Sequence, residues 1–338
     1  MSKVERAAAK KIAPAKKSVS AKKRTLVKKS APVKKSAPAK KLVSMKPAQA
    51  SAEGSVLQAG EFDVRKFFDG DVEPFFSNES GALFDDDCLK ILPGIKSGSI
   101  DVVFADPPFN LNKKYGAKAN DKLTEEEYVA WCKAWIDECS RTIKPGGAFF
   151  LYNLPRWNIV LGAYMIEKGL TFRHDITVEV KSTMPIPGRL YPSHYSLLYF
   201  SKGEPKTFRK IRTPFELCRH CGGEIKDYGG HRHAMNPLGV NLKDVWLDIP
   251  PVRHRKFKVK GRSANALSTK MLDRVVEIST TPGDVVLDPF GGSGTTYAVC
   301  EKKGRRWIGI ELDFAQQIKA RLLDGETAHH NNTDHVED

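Results

Sequence analysis

The order of apolar and polar residues beyond position 100 alternates between buried strands and helices. Ile100–Phe104 is a mostly apolar run of the kind found in strands that are buried on both faces. A helix is predicted over Leu123–Ile143, with Thr124 as its N-cap and a Lys-Pro-Gly-Gly turn behind it. The other predicted elements are strands at Ala148–Tyr152, Ser193–Phe200, Val285–Leu287 and Trp307–Ile310, and helices at Lys270–Ser279 and after Gly294. This alternation predicts an α/β fold in which helices cover both faces of a doubly wound, mostly parallel sheet.

The segment 1–54 has a different composition, rich in Lys, Ala and Pro. It is predicted to be disordered, because it has too little apolar surface to bury. Its first 50 residues hold 16 Lys and Arg and one acid, so they account for the whole net charge of +15, and the rest of the chain is neutral. Such a tail is expected to bind phosphates nonspecifically; the alternative is a tail that only keeps the protein in solution.

Membrane and export signals are missing from the apolar pattern. No apolar run approaches the ~20 residues needed to span a bilayer, and no apolar block follows the basic N-terminus as it would in a signal peptide. The sequence therefore predicts a cytoplasmic, nucleoid-associated protein with no membrane partner. An ordered body is expected over 55–325 and a flexible C-terminal segment over 326–338.

The segment Val102–Asn110 (VVFADPPFN) brings an acid and two prolines to the end of a predicted strand, where open α/β folds bind their ligands. The exocyclic amine of a nucleobase is a poor nucleophile, because its lone pair is delocalised into the ring. The carboxylate of Asp106 and the carbonyl of Pro107 can each accept one amine hydrogen, which directs that lone pair toward a methyl donor. Pro108 stiffens the turn, and Phe109 is placed to stack on a flipped base. Alternatively, the motif is only a rigid turn.

The segment Val285–Thr296 (VVLDPFGGSGTT) again places an acid and a loop after a strand. Gly291, Gly292 and Gly294 allow a ligand to approach the backbone closely. No Lys follows the last glycine, which argues against a Walker A loop. Glu311 ends the next predicted strand, where an acid can accept both ribose hydroxyls of an adenosine.

The two motifs together closely resemble the amino-methyltransferases of DNA, over about residues 80–315. The resemblance implies a Rossmann-like class I S-adenosylmethionine methyltransferase fold. Because the D-P-P-F element precedes the glycine loop, the chain is similar to the circularly permuted β group of that family. The resemblance implies that Asp106, Pro107, Pro108 and Phe109 are catalytic. The cofactor-binding residues it implies are Asp87, Asp288, Pro289, Phe290, Gly291, Gly292, Gly294, Thr295 and Glu311.

Individual roles follow from the same resemblance. Asp87 matches the acid that contacts the cofactor adenine, although it can equally be a helix cap, and Asp288 would lie near the methionine amine. The chain departs from the family at residues 263–270 (SANALSTK), where the β group often has His-Pro-x-Gln-Lys-Pro. Asn265 and Ser268 are the candidate replacements there. The implied division of the body is a catalytic half at about 80–203, a target-recognition insert at about 204–262 and a cofactor-binding half at about 263–325.

The target-recognition insert contains a cysteine–histidine pattern. Cys218 and Cys221 form a C-x2-C pair, and His231 and His233 follow a Gly-rich turn. Two thiolates and two imidazoles suit a tetrahedral, structural zinc ion. The alternative is a loop with free thiols and basic histidines.

The same insert ends in a basic segment, residues 252–262 (VRHRKFKVKGR). Six of its eleven residues are basic: Arg253, Arg255, Lys256, Lys258, Lys260 and Arg262. In a body that is neutral overall, this concentration is typical of a DNA-facing surface. A solvated charged loop is the alternative.

The sequence therefore predicts site-specific methylation of an exocyclic amine in double-stranded DNA, with S-adenosylmethionine as methyl donor. Asp-Pro-Pro favours adenine N6, and cytosine N4 is the alternative because both amines share one chemistry. The lack of a Pro-Cys dipeptide argues against cytosine-C5 methylation, and Asp instead of Asn argues against an RNA or protein amide substrate. A third alternative is a catalytically inactive nucleoid-binding protein. The sequence leaves open a homodimer and a separate restriction endonuclease partner.

Overall fold

Most of the ordered strands form one sheet. The computed structural model describes residues 62–113, 118, 121–180, 185–218, 220–224, 229–250, 266–324 and 334–337. The strands are β1 (Phe76–Ser77), β2 (Gly81–Phe84), β3 (Ile100–Ala105), β4 (Ile143–Asn153), β5 (Thr171–Glu179), β6 (His194–Ser201), β7 (Lys210–Thr213), β8 (Val240–Asn241), β9 (Val245–Trp246), β10 (Val285–Asp288), β11 (Arg306–Ile310) and β12 (His335–Glu337). The larger sheet has the order β1-β2-β11-β10-β3-β4-β6-β5-β9, and the smaller has the order β12-β7-β8.

Helices pack against both faces of the larger sheet. They are α1 (Cys88–Ile91), α2 (Glu125–Thr142), α3 (Pro155–Glu167), α4 (Thr269–Ser279), α5 (Thr295–Lys302) and α6 (Ala315–Leu323). On one face the core contains residues of α1, α2 and α3, with Trp135 completely buried. On the other face it contains residues of α4, α5 and α6, with Tyr297 completely buried. The predicted α/β fold with a doubly wound sheet is thus confirmed.

The strand directions are mixed. The strands β2, β11, β10, β3 and β4 run parallel to one another, and β6 runs antiparallel to both β4 and β5. The carboxyl ends of the parallel strands and the start of β6 therefore meet at one edge, called here the carboxyl edge. The loop between β5 and β6 lies at this edge for the same reason.

Several predicted elements are confirmed, but the prediction of a turn directly after α2 is wrong. The predicted helix over Leu123–Ile143 is α2, and Thr124 caps it through a capping box with Glu127. The Lys-Pro-Gly-Gly segment after α2 was expected to be a turn, but it belongs to β4. The pairing of β3 with β4 is irregular there, since Ile100 faces Ile143 whereas Val102 faces Ala148. The extra residues of β4 are accommodated as an irregularity within the strand instead of ending it.

A buried ion cluster joins the end of the chain to α4. The guanidinium of Arg274, only 1% exposed, donates to Asp248 over 2.8 and 2.7 Å and from Nε to Asp334 over 2.6 Å. Asp334 directly precedes β12, which pairs with β7. The segment 326–338, expected to be flexible, thus contains a short strand. In the part of the chain that the structure describes, no helix is long and apolar enough to cross a membrane.

Candidate active site

The two sequence motifs meet at the carboxyl edge of the larger sheet. Asp106 directly follows β3, and the glycine loop of residues 289–294 follows β10, which lies beside β3. Glu311 directly follows β11, the other neighbour of β10. Adjacent parallel strands whose loops diverge create the crevice in which open α/β folds bind ligands. The fold therefore brings Asp106, the glycine loop and Glu311 to one crevice.

Buried side chains hold the D-P-P-F turn by its carbonyl groups. The hydroxyl of Tyr128 donates to the carbonyl of Pro108 over 2.7 Å. The side-chain amide of Asn153, which is fully buried at the end of β4, donates to that same hydroxyl over 3.0 Å. The indole N–H of Trp157 donates to the carbonyl of Phe109 over 3.0 Å. Three elements, α2, β4 and α3, thus fix the peptide planes that follow Asp106.

The carboxylate of Asp121 holds the chain directly after Phe109. Asp121, 4% exposed, accepts hydrogen bonds from the backbone N–H groups of Asn110, Leu111 and Lys113 over 2.7, 3.0 and 2.8 Å. Asn110 adopts a positive φ of 55°, a conformation that Asn tolerates better than most residues. Further along, the N–H of Lys118 donates to Asp313 over 2.9 Å, beyond the end of β11. This bond places Lys118 on the cofactor side of the crevice.

Aromatic rings surround the end of β3. Phe109 is 8% exposed, and its ring centroid lies 6.1 Å from Tyr152 and 5.3 Å from Tyr195. Burial, followed by the negative charge of Asp106, raises the pKa values of both tyrosines, so both hydroxyls stay protonated near neutral pH. Asp106 itself is half-buried, as is Pro108, and Pro107 is buried. The stacking of Phe109 on a base stays a prediction; in the structure its ring packs in this aromatic group.

The glycine loop is held by the carboxylate of Glu311. One oxygen, Oε2, accepts the N–H of Gly292 over 2.6 Å. The other oxygen, Oε1, accepts the N–H groups of Asp313 and Phe314 over 3.0 and 3.2 Å. Gly292 has a φ of 58°, a conformation that residues with a side chain rarely adopt. The acid predicted to bind a ribose therefore also shapes the loop.

Close packing restricts the end of the same loop. Gly294 has a φ of 72° and immediately precedes α5, where a Cβ would lie 2.8 Å from the side chain of Ile318. Thr295 is the first residue of α5 and is buried. Glycine is thus required at position 294 by both its backbone conformation and the packing of Ile318.

Directly before the loop, the carboxylate of Asp288, 2% exposed, accepts the N–H of Phe290 over 2.9 Å.

Two other predicted cofactor residues have clear structural contacts. The ring of Phe290 lies 5.7 Å from Trp131 and 5.0 Å from Trp135, so it closes the gap between the loop and α2. Asp87 caps α1 by accepting the N–H of Leu89 over 2.9 Å. The helix-cap alternative for Asp87 therefore holds, and a cofactor contact through its remaining oxygen stays a prediction.

Ser268 directly precedes α4. Its hydroxyl oxygen is buried and has no hydrogen-bond partner among the described residues, and its side chain does not cap α4. Because α4 leads through a turn into β10, the start of α4 lies at the carboxyl edge. An unused hydroxyl beside the free N–H groups of a helix start suits an anionic ligand group.

The predicted zinc site finds no support. The described residues contain no group of three or more His, Cys, Asp and Glu side chains that could hold a metal ion. Cys218 is half-buried, whereas Cys221, His231 and His233 are exposed. Backbone hydrogen bonds, at residues Cys221 and His220, lower the pKa of the Cys218 thiol. The described residues therefore give no support for zinc, and the alternative of free thiols and basic histidines stays a prediction.

The basic segment predicted to contact DNA lies outside the described residues. This applies to Arg253, Arg255, Lys256, Lys258, Lys260 and Arg262, and also to Asn265 and the tail 1–54. Their roles stay predictions.

Sequence reasoning missed the residues that position the motifs. Tyr128 and Trp157 contact the D-P-P-F turn, and Asn153 contacts Tyr128, only because α2, β4 and α3 pack beside β3. Tyr195 reaches Phe109 because β6 pairs antiparallel with β4. One signal was present in the sequence: an Asn at the end of an apolar strand is an unusual residue for a core position.

Replacing Tyr128 with Phe is expected to lower the turnover number of the reaction by about tenfold. The change leaves the Pro108 carbonyl and the buried Asn153 amide without their shared partner, so the turn loses its fixed orientation. The KM for DNA and the affinity for the methyl donor should stay unchanged, as measured by steady-state kinetics and calorimetry.

The matched control for this change is Tyr199→Phe. That hydroxyl is also buried but has no hydrogen-bond partner among the described residues. Equal losses of turnover in the two variants would show that Tyr128 acts only through general stability.

Comparisons with known proteins agree on one family. A family model described as DNA methylase matches residues 100–318. The type II methyltransferase M.BamHI of Bacillus amyloliquefaciens is 52% identical over 253 residues, which cover 75% of this chain and 59% of that relative. This chain therefore spans less than two thirds of the length of that relative. The DNA adenine methyltransferase YhdJ of Escherichia coli (strain K12) is 29% identical over 259 residues, covering 75% of this chain and 86% of the relative.

A solved structure shows the same fold. The PvuII DNA methyltransferase, described as cytosine-N4-specific, superposes with a TM-score of 0.51 and 22% identity. The match covers 73% of this chain and 94% of that structure.

Proposed function

Since the chain belongs to the DNA methylase family, we propose that it transfers a methyl group from S-adenosylmethionine to an exocyclic amine of a base in double-stranded DNA. One observation carries the proposal. The Asp106 turn and the glycine loop, far apart in sequence, lie after the neighbouring strands β3 and β10 at one crevice. A donor held by the loop would therefore face an amine held at the turn.

The residues present fit the methyl donor. Glu311 lies at the end of β11, where an acid can bind ribose hydroxyls, and the buried carboxylate of Asp288 suits the methionine amine. The unpartnered hydroxyl of Ser268, with the N–H groups at the start of α4, suits the methionine carboxylate. When bound, S-adenosylmethionine supplies an electrophilic methyl group on a sulfonium centre.

The protein's own residues prepare the nucleophile. The carboxylate of Asp106 and the carbonyl of Pro107 each accept one hydrogen of the target amine, which withdraws its lone pair from the ring and aims it across the crevice. Tyr128, through the Pro108 carbonyl, fixes the direction of these acceptors. Preorganised acceptors of this kind act because they need not reorient during the reaction. The rings of Phe109, Tyr152 and Tyr195 pack against one another beside these acceptors and give this end of the crevice an aromatic wall.

Replacing Glu311 with Gln is expected to weaken S-adenosylmethionine binding by about tenfold or more, a free energy within the range of buried hydrogen-bond losses. Both carboxylate oxygens accept backbone N–H groups. An amide NH2 at either position would face another donor, so the glycine loop must shift. The dissociation constant is measured by isothermal titration calorimetry.

Glu301→Gln is the matched control for Glu311. The carboxylate of Glu301 accepts from Asn78 and Trp307 and has no part in the glycine loop. An unchanged affinity in the Glu311 variant would refute the role of this acid in cofactor binding.

Two target bases are consistent with the proposed chemistry. The Asp-Pro-Pro sequence and the adenine-specific Escherichia coli relative favour adenine N6. The cytosine-N4-specific protein with the same fold makes cytosine N4 the second candidate. The proposal includes the target-recognition segment 204–262, with its basic end at 252–262, as the part that contacts the DNA sequence. A purified protein incubated with genomic DNA and labelled donor, followed by nucleoside analysis, identifies the base.

A further inference from the structure

A completely buried tyrosine lies under the glycine loop. Tyr297, in the first turn of α5, is 0% exposed, and its ring stacks on Trp307 of β11 with a centroid distance of 4.6 Å. Its hydroxyl donates to the backbone carbonyl of Asp288 over 3.3 Å. Burial raises the pKa of this hydroxyl well above its ordinary value, so the hydroxyl keeps its proton and can donate. Because Asp288 ends β10 directly before the loop, this contact joins α5 to the start of the loop.

Two glycines leave room for this tyrosine. A Cβ at Gly291 would lie within 3.0 Å of the Tyr297 hydroxyl oxygen, and a Cβ at Gly309 would lie within 3.0 Å of the ring carbon Cζ. Protein interiors do not tolerate contacts this close without a shift of one partner. Gly291 does not have the positive φ of Gly292 and Gly294, so its backbone conformation would accept a side chain. The hydroxyl of Tyr297 is therefore the feature that requires glycine at position 291.

Gly291 has little freedom to move away from this hydroxyl. Its N–H donates to the carbonyl of Ile310 in β11 over 2.8 Å, and its carbonyl accepts the N–H of Gly294 over 2.8 Å. Ile318 of α6 lies 3.1 Å from the position that a Cβ of Gly291 would take. The residue is thus held by β11, by the loop itself and by α6. A displacement of Gly291 by Tyr297 would consequently displace the loop.

We propose that Tyr297 is a positioning residue for the methyl donor. Its hydroxyl sets the distance between the glycine loop and α5 and holds the backbone of Asp288, so that the loop and the Asp288 carboxylate meet the donor in one fixed geometry. This inference rests on the proposed function, because it concerns the loop and the carboxylate assigned to S-adenosylmethionine. Tyr297 is completely buried, so it acts through the loop and does not touch the donor. A loop that is already in place binds more tightly, because it need not be ordered when the donor arrives.

Three variants test the fit between Gly291 and Tyr297. Gly291→Ala is expected to raise the Kd for S-adenosylmethionine by about tenfold or more, because the new methyl group and the hydroxyl cannot both keep their places. Tyr297→Phe loses only the bond to Asp288 and should raise the Kd by about threefold. The double variant should also bind about threefold more weakly than the wild type, because the missing oxygen leaves room for the methyl group, whereas independent effects would multiply to about thirtyfold. Isothermal titration calorimetry measures each Kd.

A matched variant separates this fit from general stability. Gly291→Ala combined with Tyr199→Phe removes a different buried hydroxyl, one without a hydrogen-bond partner among the described residues. It should bind the donor as weakly as Gly291→Ala alone. Steady-state kinetics of Gly291→Ala should show a raised KM for the donor and an unchanged KM for DNA. A merely structural role of Tyr297 would lower the unfolding temperature of Tyr297→Phe without changing its affinity for the donor.

Recovery of donor binding with Tyr297→Phe, and not with Tyr199→Phe, supports the proposal. Losses that multiply in the double variant, recovery with Tyr199→Phe, or an unchanged Kd in either single variant overturn it. If Gly291→Ala does not fold, Tyr297→Phe must restore both folding and donor binding, and a double variant that stays unfolded overturns the proposal. A wild-type protein that does not bind S-adenosylmethionine overturns the proposed function instead.

Discussion

Asp106→Ala is expected to reduce methyl transfer by about 10³-fold or more, since the loss of a single preorganised contact at a reacting atom already costs about 10²–10³. The substitution removes both the acceptor and the negative charge that directs the amine lone pair. Binding of S-adenosylmethionine should be unchanged, because the main proposed cofactor contacts lie at the ends of β10 and β11 and at the start of α4 instead of after β3. Single-turnover kinetics with labelled donor measure the rate, and calorimetry measures donor binding.

Two variants sharpen this test of Asp106. Asp106→Asn keeps one oxygen acceptor without the charge, so it should retain more activity than Asp106→Ala. Asp137→Ala removes a carboxylate that bonds Tyr164 and Lys168 between α2 and α3, and it should leave the rate unchanged. Full activity in Asp106→Ala would refute the proposed mechanism.

Arg274→Met is expected to lower the free energy of unfolding by about 3–5 kcal/mol, the usual cost of removing one partner from a buried ion pair. Arg274 is 1% exposed and Asp334 is 2% exposed, so the substitution leaves a buried carboxylate with fewer donors. It also removes two of the hydrogen bonds that join Asp248 to α4 and leaves the one from Lys270. Because Asp334 precedes β12, the pairing of β12 with β7 should weaken as well. Urea unfolding followed by circular dichroism measures the loss.

The same cluster is expected to make the folded protein less stable at acid pH. Although partial burial raises the pKa of Asp248, hydrogen bonds from Arg274 and Lys270 hold that pKa well below its ordinary range. Its contribution to stability is therefore complete above the ordinary Asp pKa of about 4 and is lost as the pH falls below it. The Arg274→Met variant should lose the share of this pH dependence that Arg274 supplies, and the hydrogen bond from Lys270 should preserve the rest. A control, Lys168→Met, removes an exposed ion pair and should change stability little.

The elements that could be predicted from the sequence are those whose signal lies within the element itself. Ile100–Ala105 is a mostly apolar strand followed directly by Asp106, Val285–Asp288 is an apolar strand that ends in Asp288, and α2 has its own capping box. Each of these signals lies within a few residues, so no knowledge of distant contacts is needed. The start of β4 was missed because its irregular pairing with β3 overrides the turn tendency of Pro145 and its glycines.

The support of the active site depends on contacts between distant elements. Tyr128 has the apolar spacing of an ordinary core residue in α2, and nothing in its neighbours shows that its hydroxyl meets Pro108. Tyr195 reaches the site only because β6 pairs antiparallel with β4. The zinc prediction rested on the spacing of two cysteines and two histidines along the sequence, but these side chains do not form a metal-binding group among the described residues. Spacing can thus identify a motif without showing which side chains surround it.

The most direct test of the central claim is identification of the methylated nucleoside. Wild-type protein and Asp106→Ala are each incubated with double-stranded DNA and labelled S-adenosylmethionine, and the digested nucleosides are separated by liquid chromatography and mass spectrometry. The account predicts label in N6-methyladenine or N4-methylcytosine with the wild type and almost none with the variant. Label in C5-methylcytosine, no labelled nucleoside with the wild type, or equal label from both proteins would contradict it.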